Sequence, residues 1–133
     1  MPIWKISKDE SRRIASEYIR QFDLAWGNEE ALCKLYAYES VMDARQSPLT
    51  GLDCAIGSDE IADTFQKKYD EGWSDIIIKI HNVRIGDNGF ILLTNTYSVL
   101  GSGPKAGAFY DGVSQQLIAM KNREWVCFMH LIK

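Results

Sequence analysis

A change of period at Gly72 constrains this chain more than any other feature. Before it, apolar residues recur at three- and four-residue steps; after it, long stretches alternate. Ile14, Ala15, Tyr18, Ile19, Phe22, Ala25 and Trp26 share one wide face, which predicts a helix from about Lys8 to Trp26. Ser7 and Glu10 ahead of it form a capping-box pair. Gly27-Asn28 ends that helix, and Asn28 caps a short second one, with Glu29 and Glu30 at the positive end of its dipole and Leu32, Leu35 and Tyr36 on its apolar face. Ser40 to Arg45 reads as extended, and Pro48 and Gly51 mark an irregular stretch. Gly57-Ser58 opens a third helix with Ser58 as its cap, and Gly72 stops it.

Beyond Gly72 the pattern is that of strands. Asp75 to Ile85 moves its apolar phase from Ile76, Ile78 and Ile80 to Val83 and Ile85, so a bulge is expected near His81-Asn82. Gly86-Asp87-Asn88-Gly89 is a hairpin turn leading into a strand from Phe90 to Leu100. A glycine-rich loop follows from Gly101 to Gly107. Phe109 to Met120 and Trp125 to Ile132 make the last two strands. Helices first and an antiparallel meander last define an α+β class. With 133 residues, the chain is expected to be one domain spanning 1–133.

Composition removes several function classes. Fifteen Lys plus Arg against eighteen Asp plus Glu leave a net charge of −3 and no basic stripe, so no nucleic-acid partner is expected. No run approaches the roughly 18 apolar residues of a membrane span, and Met1 to Ser7 lacks the apolar core of a signal peptide. Cys33, Cys54 and Cys127 are odd in number and lack C-x-x-C spacing. They read as reduced, mostly buried thiols of a cytoplasmic protein. His81 and His130 lie far apart in sequence without clustered carboxylates, so neither a metal nor another cofactor is expected. Gly101-Ser102-Gly103-Pro104 precedes no helix and is no phosphate loop, and Ser98 and Ser114 lack a nucleophile-elbow context.

Four short segments in this order carry a resemblance: Trp26-Gly27-Asn28, Leu35-Tyr36-Ala37-Tyr38, Gly57-Ser58-Asp59-Glu60-Ile61 and Arg123-Glu124-Trp125. With the order of elements, they resemble the NTF2-like superfamily across nearly the whole chain. Within it the chain looks most like the SnoaL-like and ketosteroid isomerase-like small proteins. The resemblance implies a cone, three N-terminal helices packed on a strongly curved, mostly antiparallel sheet, with a pocket between them. The inward set would be Ile91, Leu93, Asn95, Tyr97 and Val99; Ser114, Gln116, Ile118 and Met120; and Phe128, His130 and Ile132. Such a wall, apolar with a few polar groups, suits a small apolar or ring-shaped ligand.

The superfamily hosts isomerases, dehydratases, cyclases, hydrolases and proteins that only bind or dimerise, so the fold does not choose among them. Asp43 lies in the first strand, where ketosteroid isomerase-like members carry a general base, one residue from the ungapped match at Ala44. Asp43 and His130 are the proton-transfer candidates for a cofactor-independent acid–base enzyme. Tyr18, Trp26, Asn95, Tyr97 and Gln116 are the substrate-binding candidates, although Tyr18 also reads as part of its helix's buried face. Gln115 or Gln116 stands where the isomerase chemistry needs a protonated acid, and a glutamine amide is a weaker donor, which argues against steroid-type isomerisation. The alternative is a non-catalytic binding or dimerisation module whose cone is filled by Phe22, Trp26 and Phe128. Phe90 and Leu92 beside Thr94, Thr96 and Ser98 on the outer face point to a two-fold homodimer.

Overall fold

A computed structural model describes residues 6–49 and 53–133. Gly51 and the start of the chain, including Trp4, lie outside the described residues. Helix α1 spans Lys8–Ala25 and α2 spans Glu29–Cys33. The Ser7 hydroxyl accepts from the Glu10 amide at 3.0 Å, and Asn28 Oδ1 accepts from the Ala31 amide at 3.1 Å. Each cap meets one of the amide donors a helix start leaves free. Strand β1 (Tyr36–Asp43) follows, then β2 (Cys54–Ile56) and helix α3 (Ser58–Asp70). The cap of α3 is Gly57 rather than Ser58: glycine adopts φ +95° there, its amide donates to the Ser40 carbonyl at 2.8 Å, and Ser58 is buried without capping. Strand β2 is too short for its period to show in sequence and exists as the antiparallel partner of β1.

The remaining strands are β3 (Asp75–Ile85), β4 (Ile91–Leu100), β5 (Phe109–Lys121) and β6 (Glu124–Ile132). Among the described residues they join β1 and β2 in one six-stranded, curved, mostly antiparallel sheet in the order β2-β1-β6-β5-β4-β3, in which only β1 and β6 run parallel. The bulge in β3 falls where the phase change places it, between Ile80 and Asn82. Strand β4 alternates without a break: Ile91, Leu93, Asn95, Tyr97 and Val99 are buried on the concave face. Phe22, Ile61, Phe65, Met42 and Ile118 pack with them between that face and the helices.

Two of the inward assignments fail. Met120 is 53% exposed, because the end of β5 borders an open groove with Leu24 and Trp125 and outruns the cone. Phe128 stacks on Phe90 with ring centroids 5.9 Å apart and takes no part in the core. It is the extra residue where the register steps from Leu117↔Met129 to Ile118↔Cys127, and an extra residue breaks alternation. Of the three free thiols, Cys127 is buried, Cys33 half-buried and Cys54 exposed, so burial is less general than composition suggests.

Gly112 sits opposite Tyr97 in the β4–β5 register. A Cβ at Gly112 would meet the Tyr97 hydroxyl end and the Lys133 carbonyl. Tyr97 itself donates to that carbonyl at 3.1 Å, so the neighbours cannot yield independently. Gly112→Ala is expected to cost about 1–3 kcal/mol, as overpacking does. Chemical denaturation measures this, and an unchanged midpoint would count against the close packing.

Candidate functional site

A cavity of about 40 Å³ lies between the concave face and the helices. Its aromatic side is Phe22 from α1, Trp26 just after it, and Phe65 from α3; Leu49 comes from the irregular stretch beyond β1. Its sheet side is Ile76 and Ile78 of β3, Asn95, Tyr97 and Val99 of β4, Ser114 and Gln116 of β5, and His130 and Ile132 of β6. Ligand pockets usually measure several hundred Å³, so this space admits about one water. Side chains fill the cone. The rings of Phe22, Trp26 and Phe65 meet at 5.7–6.3 Å and occupy what would otherwise be ligand volume. A larger groove, about 1510 Å³, runs outside between α1, α2 and the hairpin ends, and shares none of these residues.

The polar residues of the wall are tied in sequence. Ser114 Oγ donates to Asn95 Oδ1, and Asn95 Nδ2 donates to Gln116 Oε1 at 3.2 Å. Gln116 Nε2 is buried and forms no hydrogen bond. It is near enough to favour the Tyr36 phenolate slightly, but burial dominates and pushes the Tyr36 phenol well above its ordinary range. Tyr36 Oη and His130 Nδ1 are 2.8 Å apart, and their rings stack at 6.0 Å. Burial alone lowers His130 from 6.5 to about 3, since nothing near the ring compensates an imidazolium charge. Tyr97 Oη bonds Ser47 Oγ and the Lys133 carbonyl, both at 3.1 Å.

Five of the seven residues singled out in sequence meet at this cavity: Trp26, Asn95, Tyr97, Gln116 and His130. Asp43 and Tyr18 do not. In the parallel β1–β6 pairing, Met42 stands beside His130 and Asp43 beside Leu131. Met42 and Ala44 are fully buried, so Asp43 points to the opposite side of the sheet from His130. There it pairs with Arg45 at 2.9 Å, and that guanidinium holds its carboxyl down at about 2. Asp43 and His130 therefore form no acid–base pair. Tyr18 is buried in the core with its hydroxyl given to the Leu35 carbonyl at 2.8 Å, off the cavity wall. The sequence reading missed Tyr36, Phe65 and Leu49. Among the described residues, no group of three or more His, Cys, Asp or Glu converges as a metal site would require, and no helix is long and apolar enough to cross a membrane.

No protein-family model matches the chain, and no curated protein matches it in sequence. Solved structures do match. An NTF2-like protein of unknown function from Shewanella oneidensis is 15% identical, with a TM-score of 0.73 over 91% of this chain and 97% of that one. An NTF2-like superfamily protein from Salmonella enterica is 10% identical, with a TM-score of 0.75 over 96% and 92%. A ketosteroid isomerase-like protein from Erwinia carotovora is 15% identical, with a TM-score of 0.68 over 92% and 91%. At such identities the likeness is one of fold. The chain has the NTF2-like, cystatin-like α+β cone.

The buried histidine sets a pH dependence. Unfolded, the imidazole binds a proton with its ordinary pKa near 6.5; folded, it stays neutral to about 3. Between those values the unfolded state holds more protons, so acid favours unfolding, by at most about 1.4 kcal/mol per pH unit. Stability is expected to fall as pH drops through this window. His130→Gln, which keeps an acceptor for Tyr36, should remove that part of the loss. Denaturation midpoints of the two proteins from pH 7 to pH 4 measure it, and parallel curves would refute the assignment.

Proposed function

We propose that this chain binds a small uncharged molecule in the cone and performs no acid–base chemistry there. The observation that carries this is Gln116 Nε2, a buried donor that forms no hydrogen bond, the nearby Tyr36 hydroxyl being engaged with His130, on a wall whose other amide atoms are used. Leaving such a donor unmet costs roughly 1–3 kcal/mol, which an apolar side chain would avoid. A ligand's acceptor gives the residue a purpose. Against catalysis, Asp43 is on the far face, and His130 does not titrate near neutral pH as a general base must. The likeness to a ketosteroid isomerase-like protein supports a cone-type pocket and no particular reaction. Binding requires the aromatic side to give way, because 40 Å³ holds no ring. Titration of ¹⁵N-labelled protein with a panel of uncharged ring compounds should move the Trp26 indole and Gln116 side-chain signals together. A panel that moves neither overturns the reading.

A second reading, assembly, is favoured by one feature of the outer face. Following the register, Ile56, Val41, Met129, Leu117 and Leu92 stand side by side across five strands. At the usual spacing this apolar row is about 19 Å long. Ile56, Val41 and Met129 are exposed, Met129 by 55%. We propose that a second copy covers the row in a two-fold homodimer. The free Cys33, Cys54 and Cys127 support placing the protein in a reducing compartment, the cytoplasm. Met129→Glu, at the middle of the row, is expected to raise the dimer dissociation constant at least tenfold, one buried charge costing more than about 1.4 kcal/mol. Sedimentation velocity measures it; a wild type monomeric at tens of micromolar would refute the dimer.

A further inference from the structure

Helix α1 buries one face in the cone and lends its flank to the outer groove. At three- and four-residue steps Glu10, Ile14, Glu17, Tyr18, Gln21 and Leu24 form one bank of that groove. The bank is about 21 Å long at the helical rise per residue. The other walls are α2 with Leu35, and the ends of the β3–β4 and β5–β6 hairpins.

Two large apolar side chains stand in water here, Leu24 at 66% exposure and Met120 at 53%. Half-buried Phe90 and Trp125 belong to the same lining. So do four carboxylates, those of Glu10, Glu17, Glu30 and Glu124, against two cations. Each cation is drawn to a glutamate of its own segment, Arg13 to Glu10 at 3.6 Å and Lys34 to Glu30 at 3.9 Å. Glu17 pairs with Arg20, which lies outside the lining, and that guanidinium holds the Glu17 carboxyl down at about 2. Four acids against two bases leave the lining at a formal charge of −2.

Size and backbone chemistry narrow the occupant. At about 1510 Å³ the groove exceeds the several hundred Å³ of a small-molecule pocket. A helix is a cylinder about 10 Å wide, so this volume takes roughly a dozen residues, close to the length of the bank. Two walls are helices, whose backbone groups are spent on their own turns. An extended segment would find few ladder partners there and leave its amides dehydrated, whereas a helix satisfies its own. Among the described residues a second copy supplies no such helix. The apolar faces of α1 and α3 are already in the core, and α2 has five residues.

We propose that this groove docks an amphipathic helix of a partner protein, roughly a dozen residues long, whose apolar stripe is flanked by lysine or arginine. The stripe covers Leu24, Met120 and Trp125, and the flanking cations meet Glu17 and Glu124. The site is separate from the cone, with which it shares no lining residue.

The test uses two capped peptides of about fourteen residues, the length of the bank. One carries leucine at helical spacing and lysine elsewhere; the other has glutamate in place of each lysine. Binding is read at the Trp125 indole signal of ¹⁵N-labelled protein, and helix formation by circular dichroism. The lysine peptide is expected to bind as a helix, at least tenfold more tightly than the glutamate peptide, and added salt should narrow that gap. Leu24→Ser and Met120→Ser should each weaken it about tenfold. Both side chains are exposed, so either variant reads the groove without the other. Glu17→Gln combined with Glu124→Gln should remove most of the preference for lysine. Phe109→Ser, at an exposed apolar side chain outside the groove, should leave binding unchanged.

Equal binding of the two peptides would overturn the proposal, as would binding without a gain of helix. So would loss of binding on Phe109→Ser with both groove serines neutral, which would put the peptide on another apolar patch. If neither peptide binds the folded protein, the groove is no helix site and the proposal falls.

Discussion

The centre of this molecule depends on the parallel pairing of β1 with β6. Every other neighbouring pair in the sheet is antiparallel, and β6 is the strand that joins the two regimes. The pairing brings Tyr36 to His130, 94 positions apart in the chain, and sets Met42 rather than Asp43 beside the histidine. Shifting it by one residue would exchange a buried methionine for a carboxylate on the concave face. The Tyr36–His130 bond is what makes a buried imidazole tolerable, since a phenol meets one ring nitrogen without charge. The closed end of the cone, its neutral chemistry and the failure of the acid–base pair all follow from that one register.

Neutrality is the second theme. The chain places its ion pairs on helix faces and strand ends, as with Glu17 and Arg20 on α1 and Asp43 with Arg45 after β1. Among the described residues that line the cone, the polar groups are amides, hydroxyls and an uncharged ring. A low-dielectric interior strengthens each bond such groups make and raises the cost of each bond left unmade. Gln116 bears that cost alone among the wall residues. An interior of this kind excludes unpaired charge and orders its polar groups by the sense of each hydrogen bond.

Local signals in the sequence were sufficient for the local structure. The caps at Ser7 and Asn28, the bulge after Ile80 and the unbroken alternation of β4 each depend on a few neighbouring residues, and each was legible. Asn95, Tyr97, Gln116 and His130 could be placed on one wall because period-two geometry fixes their side within each strand. What failed was set by distant partners. Tyr36 fits a helical spacing with Leu32, and only its pairing with β6 makes it a strand residue. The burial of β1 is irregular, with a register shift between Tyr36 and Val41, so no period could assign Asp43 a face. Ser58 carries the right chemistry for a cap, but a three-residue strand feeds Gly57 into that role. The cavity's size depends on how three aromatic rings from separate segments meet, which no linear pattern encodes.

The extra residue at Phe128 gives β6 a point of slack. On one side of it Met129 and His130 keep their faces by pairing with Leu117 and Gln116; on the other, Cys127 keeps its face by pairing with Ile118. Losing one residue at the bulge leaves both flanks in register, because Phe128 opposes nothing of its own. Losing one between Met129 and Ile132 would turn the strand's end inside out. Length is thus freer here than identity: this strand can gain or shed a residue at Phe128 while the positions beside it keep their pairing, so an insertion or deletion here alters the cone's floor without reversing the strand's faces.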